Sequence, residues 1–192
     1  MQYITRAFWG AQPPTKTRPA STKLRGVVIH YVGSDVTGDP SAVMRGIQRN
    51  HMEERGWWDL AYSECVALDG TVLEGRGLLA RTGANGTNAS NRDYLAFCLL
   101  IGPGQTPTPA MVRSVQARIR VLQHFQPLAT EILGHRDIKA TSCPGDAAYD
   151  LVQQGAFQPD ADVDPLPPPV TLASRVEALE ADVADLKRRA VS

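Results

Sequence analysis

Two histidines and a cysteine are the residues best suited to chemistry. His30 closes the apolar run VVIH, and His135 and Cys143 stand eight residues apart in GHRDIKATSCPGD. Imidazole and thiolate are borderline-soft donors that suit zinc, and three protein ligands leave the fourth tetrahedral position open, as in catalytic sites. A histidine ending a buried strand projects from a rigid element. A loop as long as 135–143 can fold back and bring both its donors to one point. Taken singly, each residue has a plainer reading: strand-end histidines are commonly structural, and one loop cysteine is unremarkable. The combination carries the inference. His51 and His124 fall in helical stretches and are given no role.

Short elements must position these groups. A loop around Pro14 and Pro19 leads into a strand over Gly26 to Tyr31. Asp39-Pro40-Ser41 starts a helix in which Val43, Ile47 and Met52 recur at helical spacing, and Gly56 ends it. A strand over Tyr62 to Leu68 turns at Asp69-Gly70 and returns through Thr71 to Glu74. Tyr94 to Ile101 is a further apolar strand. Thr108-Pro109 opens a long helix with Met111, Val115, Ile119, Leu122 and Phe125 on one face. Ile132-Leu133 is a short strand before the His135 loop, and Asp146 to Gln154 forms a closing helix. The alternation predicts an α/β domain, with a single mixed central sheet flanked by helices, over residues 1–157.

Beyond that domain, QPDADVDPLPPPV reads as a semi-rigid Pro/Asp-rich linker over 158–170. In residues 171–192, Leu172, Val176, Leu179, Val183, Leu186 and Ala190 keep a heptad pattern. That predicts a short coiled-coil-like helix and a homo-oligomer through 171–192, against the alternative of an amphipathic helix docked on its own domain.

Hydrophobic residues make up 43% of the 192, enough for a core. Lys+Arg and Asp+Glu both number 20, a balance that argues against nucleic-acid binding. No apolar stretch approaches the roughly 18 residues of a membrane span, so no membrane insertion is expected. The opening MQYITRAFWGAQPP lacks a basic segment followed by an apolar run, so the expectation is synthesis in the cytoplasm without a signal peptide. Cys65 and Cys98 lie in apolar runs and read as small buried hydrophobes.

Five ordered segments resemble a known family. ITRAFWGAQPP, VVIHYVGS, IQRNHMEERGWWDLAYS with LDGTVLEGRG, TGANGTNASNRDYLAFCLLIG and GHRDIKATSCPGD are similar, in order and spacing, to the zinc-dependent N-acetylmuramoyl-L-alanine amidases. That family includes T7-type phage lysozymes and the peptidoglycan recognition proteins. The resemblance runs from about Ile4 to Tyr149. It implies Zn2+ held by His30, His135 and Cys143, and a bacterial peptidoglycan substrate cut between N-acetylmuramic acid and L-alanine. Tyr62 matches a tyrosine that assists catalysis, and Thr141 falls where lysine or threonine occurs. Family members that bind without cutting often carry serine at the Cys143 position, so cysteine there favours hydrolysis.

Several positions depart from the pattern. Glu64 stands two residues after Tyr62, where relatives have an apolar residue. Residues two apart in a strand share a face, so Glu64 reads either as a proton carrier beside Tyr62 or as a solvated outward charge. Asn85 replaces a common histidine and is a candidate substrate-binding residue. Trp57 and Trp58 are candidates to face glycan or peptide, with core packing favoured for at least one. The resemblance implies a phage endolysin acting at the bacterial cell wall. The alternatives are a virion-associated wall-penetrating enzyme, a binding-only recognition module, or an interaction protein.

Overall fold

Six strands join into one mixed sheet in the computed structural model, which describes residues 2–159. The elements are β1 (Tyr3–Ile4), α1 (Arg6–Trp9), β2 (Gly26–Tyr31), α2 (Pro40–Arg49), β3 (Glu64–Val66), β4 (Val72–Glu74), α3 (Asn88–Asp93), β5 (Tyr94–Leu99), α4 (Pro109–Phe125), β6 (Glu131–Gly134) and α5 (Asp146–Gln153). The strand order is β1-β4-β3-β5-β2-β6. Every neighbouring pair is parallel except the β3/β4 hairpin. Strands β2 and β5 are covered on both faces, which is why VVI and LAFCL are apolar throughout rather than alternating.

Alternate strand residues feed two cores. On one face Val27, Ile29, Leu95, Phe97, Leu99 and Val66 pack under α4 and α5, through Met111, Val115, Ile119, Leu122, Ala148 and Val152. On the other, Cys65, Cys98, Leu73 and Leu100 pack with Trp9 of α1 and Met44 of α2. Cys65 and Cys98 are the buried hydrophobes their context predicts. Phe157 is the last core residue described.

Local signals explain the element ends. Asp39 accepts from the backbone N–H groups of Ser41 and Ala42, and Pro40 occupies the first turn of α2. The helix then widens into a π-helical turn over Asn50–Glu54 and stops before Gly56, whose φ of 65° is left-handed. Thr108 caps α4 by accepting from Met111 N–H. Phe125, placed on the apolar face by its spacing, is exposed: the core that α4 covers ends a turn earlier, at Leu122. Three elements, β1, α1 and α3, were not anticipated. All are six residues or fewer, too short to show a period. From residue 160 on, the linker and the helix expected over 171–192 lie outside the described residues. Among those described, no helix is long and apolar enough to cross a membrane.

Candidate metal centre

Strands β2 and β6 run side by side in parallel, with Ile29 opposite Gly134. The next residue on each is a histidine. His30 and His135 therefore emerge together at the carboxyl ends of the strands, their ring centroids 4.3 Å apart. Cys143 Sγ lies 3.6 Å from His30 Nδ1. The three residues each offer a ligand atom, all within 4.8 Å of one another.

The loop that returns Cys143 is pinned by its own charged residues. Asp137 accepts from Gly134 N–H at 2.7 Å and from the Tyr149 hydroxyl at 2.5 Å. Arg136 donates to the Ser142 carbonyl at 2.6 Å, pairs with Asp146 at 2.9 Å and stacks on the Tyr149 ring. These contacts fix both ends of the loop to α5. Gly134 leaves room for the Tyr149 ring, which a Cβ there would meet at 2.7 Å.

Burial tunes the donors. Desolvation, aided by neighbouring His135, pushes His30 down to about 3, and Asn85 only partly opposes it. His135 is lowered by burial and by Lys139. Both imidazoles are thus neutral near pH 7 and carry lone pairs. Burial pushes the Cys143 thiol up to about 12, against a backbone hydrogen bond from Tyr31. A bound cation would reverse that balance, because metal coordination deprotonates a thiol. His135 Nε2 is buried with no hydrogen-bond partner, a state that leaves about 1–3 kcal/mol of desolvation uncompensated. Two neutral imidazoles, one of them with an unpartnered ring nitrogen, and one thiol at one point fit a zinc ion.

The cluster lies in a groove of about 730 Å3, which Tyr62, His51, Trp57, Lys139 and Thr141 also line. The Tyr62 ring is 5.6 Å from that of His30, and burial holds its hydroxyl well above the ordinary tyrosine range, so it is a donor at neutral pH. Thr141 Oγ1 accepts from Cys143 N–H at 3.2 Å, which aims its own proton elsewhere. His51, given no role from sequence, stacks on Trp57 and accepts from Ala61 N–H through Nδ1, so its Nε2 carries the proton. A signal existed: Met44, Gln48 and His51 share one helical face, and all three are buried. Trp57 and Trp58 are each 37% exposed, so neither is the core residue expected at the helix end. Trp57 walls the groove, and Trp58 lies between Lys16 and Arg18. Past Trp57 the groove meets a hollow edged by Arg18, Arg76 and Arg81.

Two expected site residues stand elsewhere. Glu64 is neither a proton carrier beside Tyr62 nor a solvated charge: it is 0% exposed, on the α4 face, and held by Arg118 at 2.6 and 2.8 Å. The regular strand begins only at Glu64. Ser63 O accepts from the N–H groups of both Gly75 and Gly77, a local irregularity that puts Tyr62 and Glu64 on opposite faces. Asn85 is also 0% exposed and cannot touch substrate. Its amide lies against His30 Nε2 at 2.9 Å.

An open groove over a His-His-Cys cluster, at the edge of a mixed sheet backed by helices, is the architecture of the peptidoglycan amidase and recognition-protein class. The model of the N-acetylmuramoyl-L-alanine amidase family (Amidase_2) matches residues 20–146, and the chain belongs to that family. It is 32% identical over 158 residues to the human N-acetylmuramoyl-L-alanine amidase, a match covering 77% of this chain and 27% of that one. It is 27% identical over 157 residues to peptidoglycan recognition protein 1 of Bos indicus, covering 79% and 82%. Among solved structures, it is similar to peptidoglycan recognition protein LE in complex with tracheal cytotoxin, a monomeric diaminopimelic acid-type peptidoglycan. That match has a TM-score of 0.73 at 25% identity, covering 81% of this chain and 95% of that one. Drosophila recognition protein SD is similar at a TM-score of 0.72 and 27% identity, covering 86% and 99%.

Proposed function

We propose that the protein is a zinc-dependent hydrolase of the amide bond between N-acetylmuramic acid and L-alanine in bacterial peptidoglycan. The observation that carries this reading is the convergence of His30, His135 and Cys143, with an orphaned ring nitrogen, in an open groove. Cysteine at 143, where binding-only members of the family often carry serine, supports hydrolysis over recognition alone.

His30, His135 and Cys143 would hold the ion, which supplies Lewis-acid chemistry at a carbonyl and acidifies water toward neutral pH. The chain's own groups do the rest. Tyr62 keeps its proton and lines the groove beside His30, where it would donate to the carbonyl oxygen as negative charge develops there. The Thr141 hydroxyl, held by Cys143 N–H and lining the same groove, would be a second donor. The His51 Nε2–H and the face of Trp57 line the path along which a peptide or glycan would lie. The arginines beyond Trp57 suit the carboxylates of a stem peptide. The resemblance of the sequence motifs to a family that includes T7-type phage lysozymes supports a role as an endolysin, acting on the wall from a host cytoplasm once a membrane pore opens. The charge pattern supports no nucleic-acid partner.

Digestion of purified peptidoglycan with the full chain, followed by mass spectrometry, tests the bond. Stem peptides with a free L-alanine amino group are expected. His30→Ala and Cys143→Ala are expected to abolish release and lower zinc content. Wall binding without release would instead identify a recognition module, and full activity in either variant would refute the ligand set.

A further inference from the structure

Asn85 is wholly buried, yet every polar atom of its side chain is used. Its amide nitrogen Nδ2 donates to two carbonyl oxygens, Ser90 O and Tyr94 O, each at 3.2 Å. Carbonyls only accept, so these two bonds decide which end of the amide is nitrogen. The oxygen Oδ1 is thereby turned to His30 Nε2, 2.9 Å away. An amide oxygen also only accepts, so His30 Nε2 must carry the hydrogen. A neutral imidazole has one such hydrogen, which leaves Nδ1 with its lone pair. Nδ1 is the atom that faces Cys143 Sγ at 3.6 Å. The Asn85 backbone is fixed too, its N–H donating to Asn91 Oδ1 at 2.8 Å.

We propose that Asn85 is a positioning residue that selects the tautomer of His30 and locks its ring so that Nδ1 is the metal-binding nitrogen. The proposal rests on the reading that the cluster holds zinc. Groups behind a metal-bound histidine commonly set its orientation and basicity. Here the group is an amide rather than a carboxylate, so it orients the ring without adding charge to a site that already holds a thiolate.

The test uses the full chain with Asn85→Leu and Asn85→Asp. Zinc affinity is read by competition with a chromophoric chelator, and the His30 tautomer by ring-nitrogen NMR of zinc-free protein. Leucine removes the acceptor, whereas aspartate keeps it but loses both N–H donors. The expected result is that leucine weakens zinc binding by about 10–100-fold and mixes the tautomers, while aspartate stays within about threefold of the parent and keeps the hydrogen on Nε2. Equal losses in both variants would overturn the proposal, since Asn85 would then only brace Ser90 and Tyr94. Parental affinity in the leucine variant would overturn it as well. If the leucine variant fails to fold, the parent's own ring spectrum decides, and a hydrogen on Nδ1 refutes the assignment. A parent that binds no zinc would end the metal reading by itself, and the zinc-free spectrum would still judge Asn85.

Discussion

Glu64→Ala should unfold the protein more readily while leaving the groove's chemistry untouched. The Glu64 carboxylate receives Arg118 Nε at 2.8 Å, Arg118 Nη2 at 2.6 Å and the Tyr3 hydroxyl at 3.3 Å. Neither Glu64 nor Arg118 is exposed at all. Burial pushes the Glu64 carboxyl up, and Arg118 pulls it back. Removing the carboxylate leaves a guanidinium in the core whose Nη1 has no partner even now. Breaking a buried pair from one side costs about 3–5 kcal/mol, and the stranded Tyr3 hydroxyl adds about 1 kcal/mol. For a domain of this size that sum lowers Tm by roughly 10 °C or more. Glu64→Leu with Arg118→Met removes both charges together and should recover most of the loss. Urea unfolding gives the stabilities, and peptidoglycan turnover well below the transition gives the activity, expected within about twofold of the parent because Glu64 lies across the sheet from the groove. A folded Glu64→Ala protein with lost turnover would restore the proton-carrier role and refute the face assignment. A stability loss below about 1 kcal/mol would refute the energetic argument.

Two further outcomes follow from the same geometry. Tyr62→Phe should lower kcat by about 10²–10³ with KM and zinc content unchanged, as for loss of one donor to a developing oxyanion; unchanged kcat would remove Tyr62 from the chemistry. Tyr94 donates to Glu131 at 2.7 Å, and burial together with that bond pushes its pKa from 10.0 to about 12. An acid raised on folding stabilises while protonated, so this contribution is complete below pH 10.0 and lost as pH rises to about 12. The Glu131 side chain is 40% exposed. Solvent therefore screens the pair, and the loss should be about 1 kcal/mol rather than the larger figure the full shift implies. Urea unfolding across that range should show a loss about 1 kcal/mol smaller in Tyr94→Phe than in the parent, the remainder coming from other buried tyrosines such as Tyr62; matching slopes would exclude this pair as a source.

The parts of the fold legible in the sequence were those with a period or a punctuation mark. GVVIHY is continuous and apolar because β2 is buried on both faces, and Asp39-Pro40 and Thr108-Pro109 announce helix starts with side chains that cap them. The His-His-Cys cluster was legible for a related reason: two of its members sit at the ends of adjacent parallel strands, so a strand reading already places them near one another. What stayed hidden needed three dimensions. Strands β1 and β6 flank the sheet at opposite edges, and nothing local reveals that order.

Glu64 and Asn85 show where one-dimensional reasoning fails, and why. The period-2 rule holds only while backbone pairing is regular. Ser63 O takes two N–H donors from the returning chain, the strand starts one residue later, and a carboxylate placed beside Tyr62 by counting is turned into the opposite core. There it survives only because Arg118, 54 positions away, reaches it from α4. Asn85 lies in a stretch with no period at all, where polarity argues for solvent or substrate. Its burial is stable because three acceptor and donor partners from β2, α3 and β5 meet it at once. A polar residue enclosed on those terms orients what it touches. In this protein what it touches is His30, so the residue that looked like a substrate contact orients a member of the His-His-Cys cluster from behind.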